Sequence, residues 1–260
     1  MPADTVLANA AFGDDPGLWP LPAAATPRGL WLRAVAAGGQ GRYASARADL
    51  AQLYRRGGPE NALAHSTQAS FLRQLGWHTR ARRWDGRALA LAGSDTEGKA
   101  DAFIGLAADA LGVGRFEASA RALDRAAALA ASSAPPRLRV RLDWVTAELA
   151  MARGEGVTAV HHAERAVDHA AALGSARHRV KSSVVLSAAR CSAGDLDAAR
   201  AVADAALEDA QRFGMVPLQW ALACLLTDIG SAVHSTQDIV VLRDGCADTV
   251  RRRGGEWSVR

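Results

Sequence analysis

The chain is expected to be all-α, a solenoid of about six helical hairpins stacked in a row. Three observations carry this expectation. Gly41, Gly76, Gly114, Gly154 and Gly194 recur at spacings of 35, 38, 40 and 40 residues. After each glycine, small and apolar residues follow in steps of three or four, which traces one face of a helix. Clustered β-branched runs bounded by turns, the mark of strands, are nearly absent.

Taken in order, residues 1–27 hold Pro16, Pro20, Pro22 and Pro27 with Gly13 and Gly17. They read as a flexible N-terminal arm; docking of Leu18 and Trp19 on the first helices and plain disorder are both compatible with it. The repeat domain is expected over 28–253. Its first unit has a helix A near Leu30–Ala37, a glycine-rich turn, and a helix B carrying Tyr43, Ala46, Leu50 and Leu53. The second turns at Gly76 and continues Ala81, Ala88, Leu89. The third continues Phe116, Ser119, Leu123, Ala126, and the fourth Ala159, Ala163, Ala166. The fifth continues Leu196, Ala199, Ala203, Ala206, with Asp195 placed as an N-cap. A sixth pair spans Pro217–Gly230 and Gln237–Arg253, and residues 254–260 read as a frayed tail. A lone hairpin cannot bury its apolar face, but neighbours bury it for one another.

Composition fits this plan and narrows the function. The 260 residues are 49% hydrophobic but only 5% aromatic, so alanine and leucine must do most of the packing. The net charge of +4 is almost all arginine, because lysine occurs only at Lys99 and Lys181. Arginine is the residue of forked anion contacts, but so mild an excess does not by itself argue nucleic acid. Cys191, Cys224 and Cys246 show no metal or redox spacing. No secretory leader or membrane-length apolar run is visible, so the expected location is cytoplasmic and no membrane partner is expected.

The segments GRYASARADLAQL at Gly41, GRFEASARALDRA at Gly114 and GDLDAARAVADAA at Gly194 resemble the tetratricopeptide repeat (TPR). The units at Gly76 and Gly154 match in part. The resemblance covers about residues 28–253, and its long period is similar to the repeats of bacterial regulators and adaptors. It implies a right-handed superhelix whose A helices line a concave groove. It specifies fold strongly and function weakly.

Mapping that groove onto the chain gives the candidate binding residues Trp31, Ser66, Ser70, Arg73, Gln74, Arg141, Trp144, Glu148 and Lys181, with Arg28, Asp101, Ile104 and Val184 beside them. Arginine and tryptophan are the types that anchor interfaces. The second unit also departs from its sisters: His65, His78 and Asp85 stand where smaller or less polar residues recur. Asp85 is expected to be buried and paired with His65, Arg73 or Arg82, orienting Arg73 toward a ligand carboxylate. A structural network fixing hairpin register is the competing account.

The expected function is a non-enzymatic adaptor that binds a protein or peptide segment of acidic character. The alternative is a nucleic-acid- or regulator-associated role through Arg80, Arg82, Arg83 and Arg87, interleaved with Trp77 and Trp84, and through Arg251–Arg253. A third reading, hydrolysis by a His–Asp pair, lacks a nucleophile-elbow pattern around Ser66 or Ser70. No cofactor fingerprint or phosphate loop occurs, and His65, His78, His161 and His162 lack metal-ligand spacing. The apolar run Ile239–Leu242 on the terminal unit is expected either to accept a second copy, making a homodimer, or to pack inside the last hairpin.

Overall fold

The computed structural model describes residues 2–131 and 134–258. Among them it contains thirteen helices and no strand. A short helix α1 (Ala3–Phe12) precedes six hairpins. These are α2 (Pro27–Gly39) with α3 (Tyr43–Arg56), α4 (Pro59–Gln74) with α5 (His78–Leu91), and α6 (Thr96–Leu111) with α7 (Phe116–Ala130). They continue as α8 (Arg137–Ala152) with α9 (Gly156–Leu173), α10 (Ala176–Ser192) with α11 (Leu196–Arg212), and α12 (Val216–Ile229) with α13 (Thr236–Arg252). None of these helices is long and apolar enough to cross a membrane.

Hairpin geometry follows from the spacing. Gly194 sits at φ 87, a left-handed conformation that glycine adopts without steric penalty. Asp195 then caps α11 by accepting from the Ala198 amide at 3.3 Å. The helix-B positions Tyr43, Ala46, Leu50 and Leu53 are all buried, as are Ala159, Ala163 and Ala166 of α9 and Ala199, Ala203 and Ala206 of α11. Small side chains on these faces let the helices approach closely. Asp85 relies on a second glycine: a Cβ at Gly105 would collide with its carboxylate.

The helices form two layers. The A helices α2, α4, α6, α8, α10 and α12 contact one another in succession and line the interior, while α3, α5, α7, α9, α11 and α13 pack outside. The array bends until its ends meet. The Ala44 amide donates to the Arg253 carbonyl at 3.0 Å. The Arg253 guanidinium reaches the Gln40 carbonyl at 2.7 Å.

Both termini take part in this closure. The segment 1–27, expected as a loose arm, carries α1, whose Leu7, Ala10 and Ala11 are buried against the first hairpin. The Ala176 amide donates to the Gly13 carbonyl at 3.1 Å, and Gln40 Nε2 donates to the carbonyls of Pro16 and Leu18 at 2.9 Å. The tail expected to fray instead lies across the inner layer over its described part. The Ser258 amide donates to the Leu75 carbonyl at 2.8 Å, and Trp257 stacks on Trp220 with centroids 4.2 Å apart. Fraying was inferred from polarity alone, and these contacts are long-range.

The last hairpin splits the apolar run. Ile239 is buried in the core and Leu242 packs against it, whereas Val241 is exposed. Helical periodicity, at about 100° per residue, makes this division unavoidable for four consecutive apolar residues.

Candidate functional site

The inner helices line a cavity of about 400 Å³. Every inner helix contributes a stripe: Trp31 and Val35 from α2; Ser66, Ser70, Arg73 and Gln74 from α4; Asp101 and Ile104 from α6; Arg137, Arg141, Trp144 and Glu148 from α8; Arg177, His178 and Lys181 from α10; Leu218 and Trp220 from α12. The stripes arise because residues three, four or seven apart share one helix face. Phe12 from α1 and Trp257 from the tail complete the lining. All nine residues expected from sequence to contact a partner are therefore brought to one cavity.

The walls are largely aromatic. Trp31 is buried, donates its indole N–H to Thr67 Oγ1 at 2.9 Å, and lies 5.4 Å from the Phe12 ring. Arg28 stacks over Trp31 at 4.2 Å. Trp144 donates to Ser182 Oγ at 2.8 Å and stacks on the His178 imidazole with centroids 5.3 Å apart. These hydrogen bonds hold the indoles in place; the Trp31 ring is covered by Phe12 and Arg28, and one face of Trp144 by His178.

The polar lining is a chain of ion pairs. Arg137 reaches Glu97 at 2.8 Å and Asp101 at 3.0 Å. Arg28 holds Glu97 at 3.1 Å, and Arg141 pairs with Asp101. Lys181 meets Glu148 at 3.2 Å. Arg73 lies between two carboxylates, Asp85 and, at 3.0 Å, Asp109, and also donates to the Gly105 carbonyl at 3.3 Å. Arg177 differs from all of these. It donates to the Val35 carbonyl at 3.3 Å, and no carboxylate lies within ion-pair distance of it among the described residues.

Crowding of cations perturbs the site. Burial pulls the Arg141 guanidinium down to about 10, and repulsion from Arg73 and Arg177 adds to the effect. Burial lowers Arg177 too, with Arg137 as a repelling neighbour. His178 is held well below its ordinary range by burial and then by Arg177, Arg137 and Arg141, so its imidazole is neutral near pH 7. For Arg73, burial works against the charge, but Asp85 and Asp109 outweigh it and raise the pKa. Two polar atoms near the ion pairs, Ser66 Oγ and Arg137 Nε, are buried without a hydrogen-bond partner.

The second hairpin divides into two sites. Asp85 is fully buried and pairs with Arg73, one of its three expected partners. Arg73 is thereby engaged by two internal carboxylates and is not the free fork expected for a ligand. Burial pushes Asp85 up to about 7; Arg73 opposes this and the neighbouring Asp109 adds to it. His78 is half-buried beside Asp109, and burial lowers its pKa. His65 faces elsewhere: its Nδ1 lies 2.8 Å from the Asn61 carbonyl oxygen, and its ring packs against Tyr54 and Trp84 at 4.6 and 5.3 Å. The His65–Asp85 pair that hydrolysis would use is not formed.

The tryptophans expected to stack on nucleic acid are committed within the chain. Trp84 packs in the Tyr54–His65 cluster. Trp77 donates to the Glu256 carbonyl at 2.7 Å and carries Arg80 on its face at 3.8 Å. Arg177, His178 and Trp220 were not singled out by sequence. Arg177 was findable, since it precedes Lys181 by one helical turn. Trp220 and Trp257 meet because the tail after α13 folds back over the last hairpin.

Fold and cavity define the class, an all-α solenoid of helical hairpins with a central cavity. The chain is similar to a solved structure of a Podosopora anserina protein assigned as a kinesin light chain with nearly identical TPR-like repeats. The identity is 16%, the alignment covers 75% of this chain and 99% of that chain, and the TM-score is 0.48. A single-substitution variant of the same protein is similar at 17% identity, covering 75% and 98%, with a TM-score of 0.49. Likeness at this level bears on no functional question. No protein-family model and no curated protein matches the chain.

Proposed function

We propose that this chain is a non-enzymatic binding module that receives an acidic segment of a protein partner in its central cavity. The observation that carries the reading is the charge on the cavity wall. Arg73, Arg137, Arg141, Arg177 and Lys181 line it against Asp101 and Glu148, and among the described residues no carboxylate lies within ion-pair distance of Arg177. Buried cations without counter-charge are costly, and an acidic ligand group removes that cost. Tryptophan faces around the cations supply the apolar area that anchors a partner.

The test is partner capture with the intact chain and with Ser70→Trp, which fills the cavity and leaves every charge in place. A partner that binds the wild type and is lost from the filled variant supports the reading. Equal capture by both proteins, at equal thermal stability, places recognition on the outer surface and ends it.

A further inference from the structure

Resting on that reading, we infer that the group recognised in the cavity is a single free carboxylate carried next to a flat aromatic ring. It is supplied either by the C-terminal aromatic residue of a peptide or by a free aromatic acid. The charge pattern calls for a negative group. Among the described residues, every lining arginine and lysine but Arg177 has a carboxylate within ion-pair distance: Arg137 and Arg141 share Asp101, Arg73 meets Asp85 and Asp109, and Lys181 meets Glu148. That leaves one guanidinium, Arg177, for a ligand. A carboxylate balances it.

The shape of the wall sets the rest. Arg177 stands one residue before His178, whose ring is stacked on Trp144, and one turn before Lys181 on the same α10 face. A guanidinium fork fits a carboxylate through paired hydrogen bonds. The indole of Trp144 and the Trp220–Trp257 pair offer flat apolar surfaces within the same cavity. Ser66 Oγ, buried and without a partner on α4, is a further polar group on the lining. A volume of about 400 Å³ lies toward the small end of the range for ligand pockets, which suits one ring and its acid better than a long segment.

The experiment is calorimetric titration of the intact chain with five probes. These are 2-naphthoate, 2-naphthamide, acetyl-Ala-Ala-Phe as free acid, the same peptide as its amide, and the acidic peptide acetyl-Asp-Glu-Ala amide. The expected result is binding of at least one free acid with its amide weaker by about tenfold or more, reflecting loss of a charge-assisted pair. Naphthoate alone identifies a free aromatic acid as the source, and the peptide acid identifies a chain terminus. Arg177→Gln, which keeps a donor for the Val35 carbonyl, is expected to erase the acid preference. Ser70→Trp is expected to erase binding. Should Arg177→Gln fail to fold, the acid-to-amide ratio in the wild type and the loss in Ser70→Trp still decide. Amides binding as well as acids, or an acid preference that survives in folded Arg177→Gln, overturns the inference. If only acetyl-Asp-Glu-Ala amide binds, and Ser70→Trp abolishes it, the acidic-segment reading stands and the terminal-carboxylate inference falls. If no probe binds, both fall.

Discussion

Arg73 and Asp109 meet at 3.0 Å, with Asp85 on the other side of the same guanidinium. One buried cation therefore serves two buried carboxylates from neighbouring hairpins. Removing Asp85 does not orphan Arg73, because Asp109 remains. Removing Arg73 leaves two carboxylates facing each other without a cation. Arg73→Met is accordingly expected to cost roughly 3–5 kcal/mol, and Asp85→Ala clearly less. Urea denaturation of the two variants, with the Asp85/Asp109 double variant to measure coupling, checks the order. A larger loss in Asp85→Ala than in Arg73→Met would contradict it.

The same triad gives stability a pH slope. Asp85 is raised from 3.8 to about 7, by burial first and then by Asp109, with Arg73 opposing. The folded chain thus holds a proton that the unfolded chain releases between those values. Stability from this group is full below about pH 4 and is lost as pH rises through about 7. In Asp109→Asn the repelling carboxylate is gone, so the decline between about pH 4 and 7 is expected to flatten. Denaturant midpoints at a series of pH values measure the two slopes, and identical slopes would remove the triad as their source.

Gly194 adopts φ 87 between α10 and α11, a region costly for any β-branched residue. Gly194→Val is expected to destabilise the chain by roughly 1 kcal/mol or more. Space is not the cause, since a Cβ there meets no atom within 4 Å. An unchanged melting temperature would show that the turn tolerates another conformation.

Trp257 ties the described part of the tail to Trp220 and donates its indole N–H to the Ala247 carbonyl at 3.3 Å. It is partly buried, so Trp257→Ala is expected to cost some fraction of the ~3–5 kcal/mol of a fully buried tryptophan. Amide exchange adds a local readout. The Ser258 amide, bonded to the Leu75 carbonyl, is expected to lose protection in the variant. Full protection would mean that the backbone contacts hold the tail without the ring.

The hairpins could be read from sequence because their causes are local. A left-handed glycine, a capping aspartate such as Asp195 and an apolar stripe such as Ala199–Ala203–Ala206 act within one turn or one helix. The stripe from Arg141 to Glu148 was legible for the same reason, as was the burial of Asp85 with Arg73, twelve residues apart. The role of Arg73 was not. Its second counter-ion, Asp109, comes from the next hairpin, 36 residues on. His65 and Asp85 looked alike as polar residues at core positions. Packing sent one to an aromatic cluster and the other to an ion pair.

What sequence alone determined was the repeat: the number of hairpins, their turns, and which side chains each inner helix turns to one face. Spacings along a single helix set those features, so no distant residue was needed. The tertiary structure alone decided that the array closes on itself. Closure rests on pairs such as Ala44 with Arg253 and Arg177 with Val35, 142 positions apart. Small angles between successive hairpins accumulate over six units, and no local pattern encodes where the sum brings the ends. That sum gathered the inner faces around one cavity and placed Arg177 in it with no carboxylate of the described residues within ion-pair distance.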